Sequence, residues 1–300
     1  MIYSSDKVKV IHILRIESKQ RGVKDKNVPS EMKNRNEIFF DKKLIKDVLT
    51  HYKKFGRHEL LWRKKITPYK ILISEVMLQQ TQVARVLPKF DGWMKYFPTL
   101  EALSQASLQE VLILWQGLGY QRRAKALLSI AKEVKRLPKS YEALLQLPGI
   151  GPYTASAVCA FAYNIFTHPV LETNIRTVLI EYEHLKETEI HDGVLYDDLD
   201  RLVKYKEVKN IGARHFYYAL MDYGAHLKSQ KISHNKKSAH HVVQSAYKGS
   251  FRELRAKVLF AITHKKRLPE DERLGKVLQE LIKEKYIVRK KNEEYTLVDF

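Results

Sequence analysis

Residues 147–153 read Leu147-Pro148-Gly149-Ile150-Gly151-Pro152-Tyr153, and the way this stretch has to turn decides the fold. Gly149 and Gly151 permit positive φ and let backbone N–H groups come close to a partner, while Ile150 can anchor the turn in a core. Pro152 suits the first turn of a following helix, where its missing donor costs nothing. A helix N-terminus with exposed amides binds phosphate, so the hairpin can hold a nucleic-acid backbone without reading its sequence. Gly-x-Gly alone would fit an ordinary helix-to-helix turn. The order Leu-Pro-Gly-Ile-Gly, then Thr154-Ala155 and an apolar helix, is far more specific.

Working outward, residues 37–246 read as consecutive amphipathic helices. Expected helices cover 44–55, 69–87, 100–106, 108–116, 122–136, 153–163 and 174–183, with Pro or Gly in the breaks. Trp115-Gln116-Gly117-Leu118-Gly119-Tyr120 echoes the hairpin about 32 residues earlier, a second tight turn between helices rather than a solenoid repeat. Residues 1–36 form a basic arm of mixed charge. Residues 247–300 differ: two apolar helical stripes (Phe251 to Ile262, Leu274 to Ile282) precede Tyr286-Ile287-Val288 and Tyr295-Thr296-Leu297-Val298, which flank a polar turn. Two helices and a basic hairpin suggest a winged-helix-like module whose second helix and wing meet DNA. The pattern makes the fold class mainly α, with a small α+β module at the end.

Lys and Arg number 54 against 34 Asp and Glu, and the formal net charge is +20. Such an excess points to an extended polyanion as partner, since phosphate neutralisation and counterion release drive binding; solvated lysine-rich faces are the plainer alternative. One cysteine excludes intramolecular disulfides and thiolate-ligated clusters. No apolar run reaches bilayer length, and the Val8–Leu14 patch lacks the small-residue site of a signal peptide. The expectation is a monomer in the cytoplasm, associated with the nucleoid.

The expected helix from Tyr69 surrounds Glu75 with Ile71, Leu72, Ile73, Val76, Met77 and Leu78. Desolvation would raise the carboxyl pKa toward what a general acid needs near neutral pH. Equally, Glu75 could be a structural group paired with Arg63 or Arg176. Gln79, Gln80 and Gln82 follow; clustered amides are commonly just solvated, but they also suit minor-groove acceptors and can fill the space left by an extruded base.

Ser74-Glu75-Val76-Met77-Leu78-Gln79-Gln80-Thr81-Gln82-Val83, Leu114-Trp115-Gln116-Gly117-Leu118-Gly119-Tyr120 and residues 147–155 together resemble MutY-type adenine DNA glycosylases of the helix-hairpin-helix superfamily that includes endonuclease III. The likeness spans roughly residues 55–225, and Trp62-Arg63 and Met221-Asp222-Tyr223-Gly224-Ala225 extend it. It implies a two-lobed helix-hairpin-helix DNA glycosylase fold with a cleft between the lobes, in which Glu75 protonates N7 of a flipped adenine and Glu172 stabilises the sugar cation and the addition of water. Tyr153 and Asn174 would position these groups. Gln80 and Tyr120 would wedge into the base stack, with Gln79, Gln82 and Arg63 also on DNA. Gly149 and Gly151 would hold phosphate, often with a monovalent cation. Tyrosine at 153, where lyase relatives carry lysine, implies a monofunctional enzyme with no Schiff base.

Three departures from the family pattern follow. Leu171-Glu172-Thr173-Asn174-Ile175 carries Glu where the family has Asp, and a Glu that merely caps a helix or pairs beside Arg176 is the plain alternative. Ala225-His226-Leu227-Lys228 replaces the start of a four-cysteine iron–sulfur loop, so a clusterless branch is expected; His226, His234, His240 and His241 have unsuitable spacing for zinc. The tail is shorter than the β-rich domain that usually reads 8-oxoguanine. The implied function is excision of adenine mispaired with guanine or 8-oxoguanine in double-stranded DNA, with no cofactor required. Removal of thymine or uracil paired with guanine is the alternative within the fold, and a non-catalytic DNA-binding protein is the alternative outside enzymes.

Overall fold

A computed structural model describes residues 30–240, 246–291 and 294–299. The expected basic arm lies outside the described residues up to position 29, and from Ser30 the backbone is already in helix α1 (Ser30–Phe55). The chain divides into one unit ending at Lys46 and a second spanning Asp47–Phe300. The first contributes the early turns of α1; all that follows concerns the second.

Helix α2 (Pro68–Leu78) begins where the Thr67 hydroxyl accepts from Lys70 N and Pro68 fills the first helical position. All residues from Ile71 to Met77 are buried, as expected of a helix apolar on every side. The sequence pattern predicts one helix over 69–87. Instead the chain leaves the helix after Leu78, turns through Gln79–Gln82 and resumes as α3 (Val83–Tyr96). The cause is Arg123. Its buried guanidinium takes the Val76, Met77 and Gln79 carbonyls, at 2.6, 3.2 and 2.8 Å, which a continuing helix would need, and Gln80 adopts φ +54°.

Helices α4 (Leu100–Ser104), α5 (Leu108–Trp115) and α6 (Arg122–Glu133) follow. Ser107 and Glu110 form a reciprocal capping box at the start of α5. Trp93 and Trp115 meet edge to face in the core at 5.6 Å. The buried Trp93 indole donates to Tyr69 Oη, which donates on to the Phe97 carbonyl, so the polar atoms of this layer are satisfied. Between α5 and α6, Gly117, Gly119 and Tyr120 all have positive φ. Arg123 also takes the Leu118 and Gly119 carbonyls, so one side chain clamps two turns.

Helix α7 (Tyr141–Leu145) leads through the hairpin into α8 (Pro152–Tyr163), which packs against α2. Asn164 ends α8 in the left-handed conformation, φ +58°. Its amide fills the space beside Gly212, where a Cβ would stand 2.7 Å from it, and Gly212 at φ +81° kinks α11 (Lys206–Ser229). Helix α9 (Thr173–Tyr182) lies along α11, with α10 (Asp192–Leu202) between them in sequence.

Residues 251–297 form α12 (Phe251–Thr263), α13 (Leu274–Lys283) and an antiparallel hairpin, β1 (Ile287–Arg289) with β2 (Tyr295–Leu297), Ile287 facing Leu297. The order helix, helix, hairpin is the one the sequence predicts. The stripe residues Leu254, Val258, Leu259, Val277, Leu278 and Leu281 are buried. This segment docks on the helical frame: Gln109 Nε2 of α5 donates to the Thr263 carbonyl at 2.9 Å, and Lys125 Nζ of α6 to the Glu284 and Lys285 carbonyls. Among the described residues no helix is long and apolar enough to cross a membrane.

Candidate active site

Glu75 is 5% exposed and sits in the middle of α2. Tyr153, in the first turn of α8 just after the hairpin, donates its hydroxyl to Glu75 Oε2 at 3.0 Å. Burial pushes the Glu75 carboxyl up to about 7; the Tyr153 hydrogen bond opposes the shift, and the Glu172 carboxylate adds to it. Arg63 and Arg176, the two arginines that could have made Glu75 a structural ion pair, are engaged elsewhere. Arg63 grips Asp222 with both terminal nitrogens, at 2.7 and 3.0 Å, and Arg176 grips Asp192 at 2.8 and 2.6 Å. The Tyr153 hydroxyl is held well above its ordinary pKa by burial and by the Glu75 and Glu172 carboxylates, so it is a permanent donor.

Glu172 immediately precedes α9 and caps it, Oε1 accepting from Asn174 N at 2.9 Å and Ile175 N at 3.0 Å. Oε2 accepts from Asn174 Nδ2 at 3.1 Å and Thr173 Oγ1 at 3.2 Å. The capping role anticipated as an alternative is therefore present, and it aims a fixed carboxylate from the positive end of a helix. The two carboxyls have opposite surroundings: Glu75 is desolvated and meets one hydroxyl, whereas Glu172 is half-exposed and accepts four donors.

Asn174 is supported from behind by Gly224 of α11, where a Cβ would fall 2.3 Å from the Asn174 carbonyl oxygen. Asp222, two residues earlier in α11, is 3% exposed and binds Arg57 as well as Arg63. Tyr218 carries the Arg63 guanidinium 3.9 Å above its ring and stacks on Phe161 at 4.6 Å. Sequence reasoning gave Asp222, Tyr218 and Arg123 no role; a charge or hydroxyl inside a mostly apolar helical stretch was the available signal.

The residues expected on DNA divide. Gln80 and Gln82 are exposed on the turn after α2, and Gln79 ties that turn to α8 through Thr154 Oγ1 at 3.1 Å. Tyr120, at φ +45°, accepts from Arg252. Gly149 has φ +71°, and a Cβ there would meet Ala126 at 2.7 Å, so it must be glycine. Gly151 departs from expectation: its φ is −94° and nothing crowds its Cβ position. It is exposed and open to an approaching ligand, without being needed for the turn. Ile150 is buried, as the anchor should be. Arg63 is held within the protein. Its side chain is 5% exposed and paired with Asp222, which braces the frame behind the site.

The histidines at the end of α11 and beyond it also find protein partners. His226 lies against His51 at 4.6 Å, and His234 Nε2 meets Glu181 Oε2 at 2.5 Å. Among the described residues no group of three or more His, Cys, Asp or Glu is placed to hold a metal ion. His241 lies outside the described residues.

Residues 73–205 match the HhH-GPD superfamily of base excision DNA repair proteins. The helical fold is similar to that of a solved thermostable thymine-DNA glycosylase, with a TM-score of 0.55 at 23% identity over 66% of this chain and 92% of that one. In sequence the chain is similar to adenine DNA glycosylases. It is 44% identical to that of Buchnera aphidicola subsp. Baizongia pistaciae over 140 residues, 45% of this chain and 40% of the relative. It is 39% identical to that of Mycobacterium tuberculosis over 187 residues, 60% of each chain. The chain thus spans between 40% and 60% of the length of these two relatives.

Proposed function

We propose that this chain is a monofunctional DNA glycosylase that excises adenine mispaired with guanine or 8-oxoguanine from double-stranded DNA. The observation that carries the reading is Glu75, a desolvated carboxyl with its pKa raised to about 7 and a tyrosine hydroxyl fixed against it. The likeness in sequence to adenine DNA glycosylases supports adenine as the base.

In this reading the flipped adenine stacks beside α2 and receives the Glu75 proton on N7, so the N-glycosidic bond breaks with the electron pair leaving on a neutral base. Positive charge then grows on the sugar ring, where the fixed Glu172 carboxylate stabilises it without reorganisation. Water adds at the anomeric carbon and its proton returns to Glu75, restoring the acid. Tyr153 holds Glu75 in place and Asn174 holds Glu172. Tyrosine offers no amine, so no Schiff base forms and no strand is cut.

The hairpin amides and the open Gly151 would seat a backbone phosphate, with a monovalent cation on the hairpin carbonyls as a further element. The residues do not fit an iron–sulfur cluster, because Cys159 is the one cysteine and is buried in α8, and in this reading no cofactor is required. Residues 247–300 act as a winged-helix-like DNA module, and the protein works as a monomer in the cytoplasm. The test is which free base the full chain releases from duplexes carrying A·8-oxoguanine, A·G, T·G or U·G. Adenine is expected. Release of thymine or uracil alone would transfer the site to those bases, and release of nothing would leave a non-catalytic DNA-binding protein.

A further inference from the structure

Tyr120 stands among three guanidinium groups. Arg122 and Arg123 lie 5.7 and 5.6 Å from its ring centroid, and Arg252 Nη1 donates to its hydroxyl at 3.0 Å. The first two are its near neighbours in sequence. Arg252 comes from the opening turn of α12, in a part of the chain outside the matched residues 73–205.

The backbone of the Tyr120 turn is well held, by Arg123 on the Leu118 and Gly119 carbonyls and by Trp115 Nε1 on Gly119 O at 2.9 Å. The phenol end is a different matter. It accepts a charge-assisted hydrogen bond from a separate helix, and that helix is itself pinned. Ser250 caps it at Glu253 N, and its far end is held by Gln109 on the Thr263 carbonyl and by Gln116 against the His264 ring at 3.1 Å. A rigid module therefore reaches across to the tip of one aromatic side chain at the opening of α6.

We propose that Arg252 is a positioning residue for Tyr120, and that through it the C-terminal segment sets discrimination of the base opposite the target. The proposal rests on the glycosylase reading, in which Tyr120 enters the base stack. An aromatic wedge discriminates between mispairs only if its ring enters in one orientation, because the cost of unstacking depends on the step it splits. A guanidinium on the hydroxyl holds that orientation, and the same cluster of positive charge favours the phosphates on either side.

The test is single-turnover base release by the full chain and by R252A, R252K, Y120F and R252A/Y120F, on duplexes with adenine opposite 8-oxoguanine, guanine, cytosine or thymine. The ratio of rates between the best and worst opposite base should fall about tenfold in R252A, the scale of one charge-assisted hydrogen bond. Y120F should show the same fall, the double variant no further fall, and R252K partial recovery. If R252A slows every duplex by one common factor, or if the two single effects add, Arg252 is ordinary packing and the proposal is wrong. Absence of release by the unaltered chain from every duplex defeats the glycosylase reading, a result distinct from release with an unchanged ratio in R252A.

Discussion

Tyr153 donates its hydroxyl to Glu75 at 3.0 Å, and this one bond joins the first turn after the glycine hairpin to the middle of a buried helix. The feature that would hold DNA and the feature that would protonate a base are thus parts of the same rigid unit. The bond also tunes the acid, because it opposes the upward shift that burial imposes on Glu75.

Removing that hydroxyl has a signed consequence. In Y153F the opposing hydrogen bond is gone, so the Glu75 pKa should rise further above about 7. The pH at which base release falls to half its acid-side plateau should move upward, while the plateau itself drops because the carboxyl is less well placed. A pH–rate profile under single-turnover conditions reads both changes. A midpoint that moves downward contradicts the assignment.

The same carboxyl should leave a mark on stability. Its folded pKa is raised, from 4.5 to about 7, so between these values the folded state holds the proton more tightly than the unfolded chain does. The stabilisation is fully present below pH 4.5 and is lost as pH rises through about 7, on the order of 3 kcal/mol in all. Denaturant unfolding of the wild type and E75Q across this window isolates the term. The variant should gain relative to the wild type as pH rises, and a constant difference would show that Glu75 titrates normally.

Glu172 has two duties that substitution can separate. E172A removes the cap, costing about 1 kcal/mol, together with the charge. E172Q keeps an oxygen that can accept from Asn174 N and Ile175 N but carries no charge toward the sugar cation. Thermal melting of E172Q should stay near the wild type while base release falls by about 100-fold or more. Full release in E172Q would reduce Glu172 to a cap.

Gly224 should tolerate nothing larger. A Cβ 2.3 Å from the Asn174 carbonyl oxygen must displace α11 from α9, an overpacking cost of about 1–3 kcal/mol. Because Asn174 and Glu172 open α9, G224A should lower both the melting temperature and the rate of base release. A variant with wild-type rate would mean that the position of Asn174 is unimportant.

Much of this was legible in the residues, and the rest was hidden for definite reasons. The hairpin, the buried Glu75 and the tail order of helix, helix and hairpin all follow from local pattern. The break at Gln79–Gln82 does not, because the group that ends α2 is Arg123, 44 residues beyond Gln79. Arg63 reads as a partner for Glu75 or for DNA, and nothing local shows that Asp222, 159 residues later, binds it. Gly151 looks like a second obligatory positive φ beside Gly149, yet the preceding turn leaves it extended. Nothing local connects Arg252 to Tyr120. Local chemistry marks which residues are unusual; only the packing says which partner uses them up.

The most direct test of the account is single-turnover adenine release from an A·8-oxoguanine or A·G duplex by the wild type and by E75Q at neutral pH. The substitution keeps size and polarity and removes the transferable proton. The wild type should release adenine and E75Q should be slower by about 100- to 10,000-fold, the range that general acid catalysis supplies. Equal rates would contradict the claim that Glu75 is the acid on which this site is built.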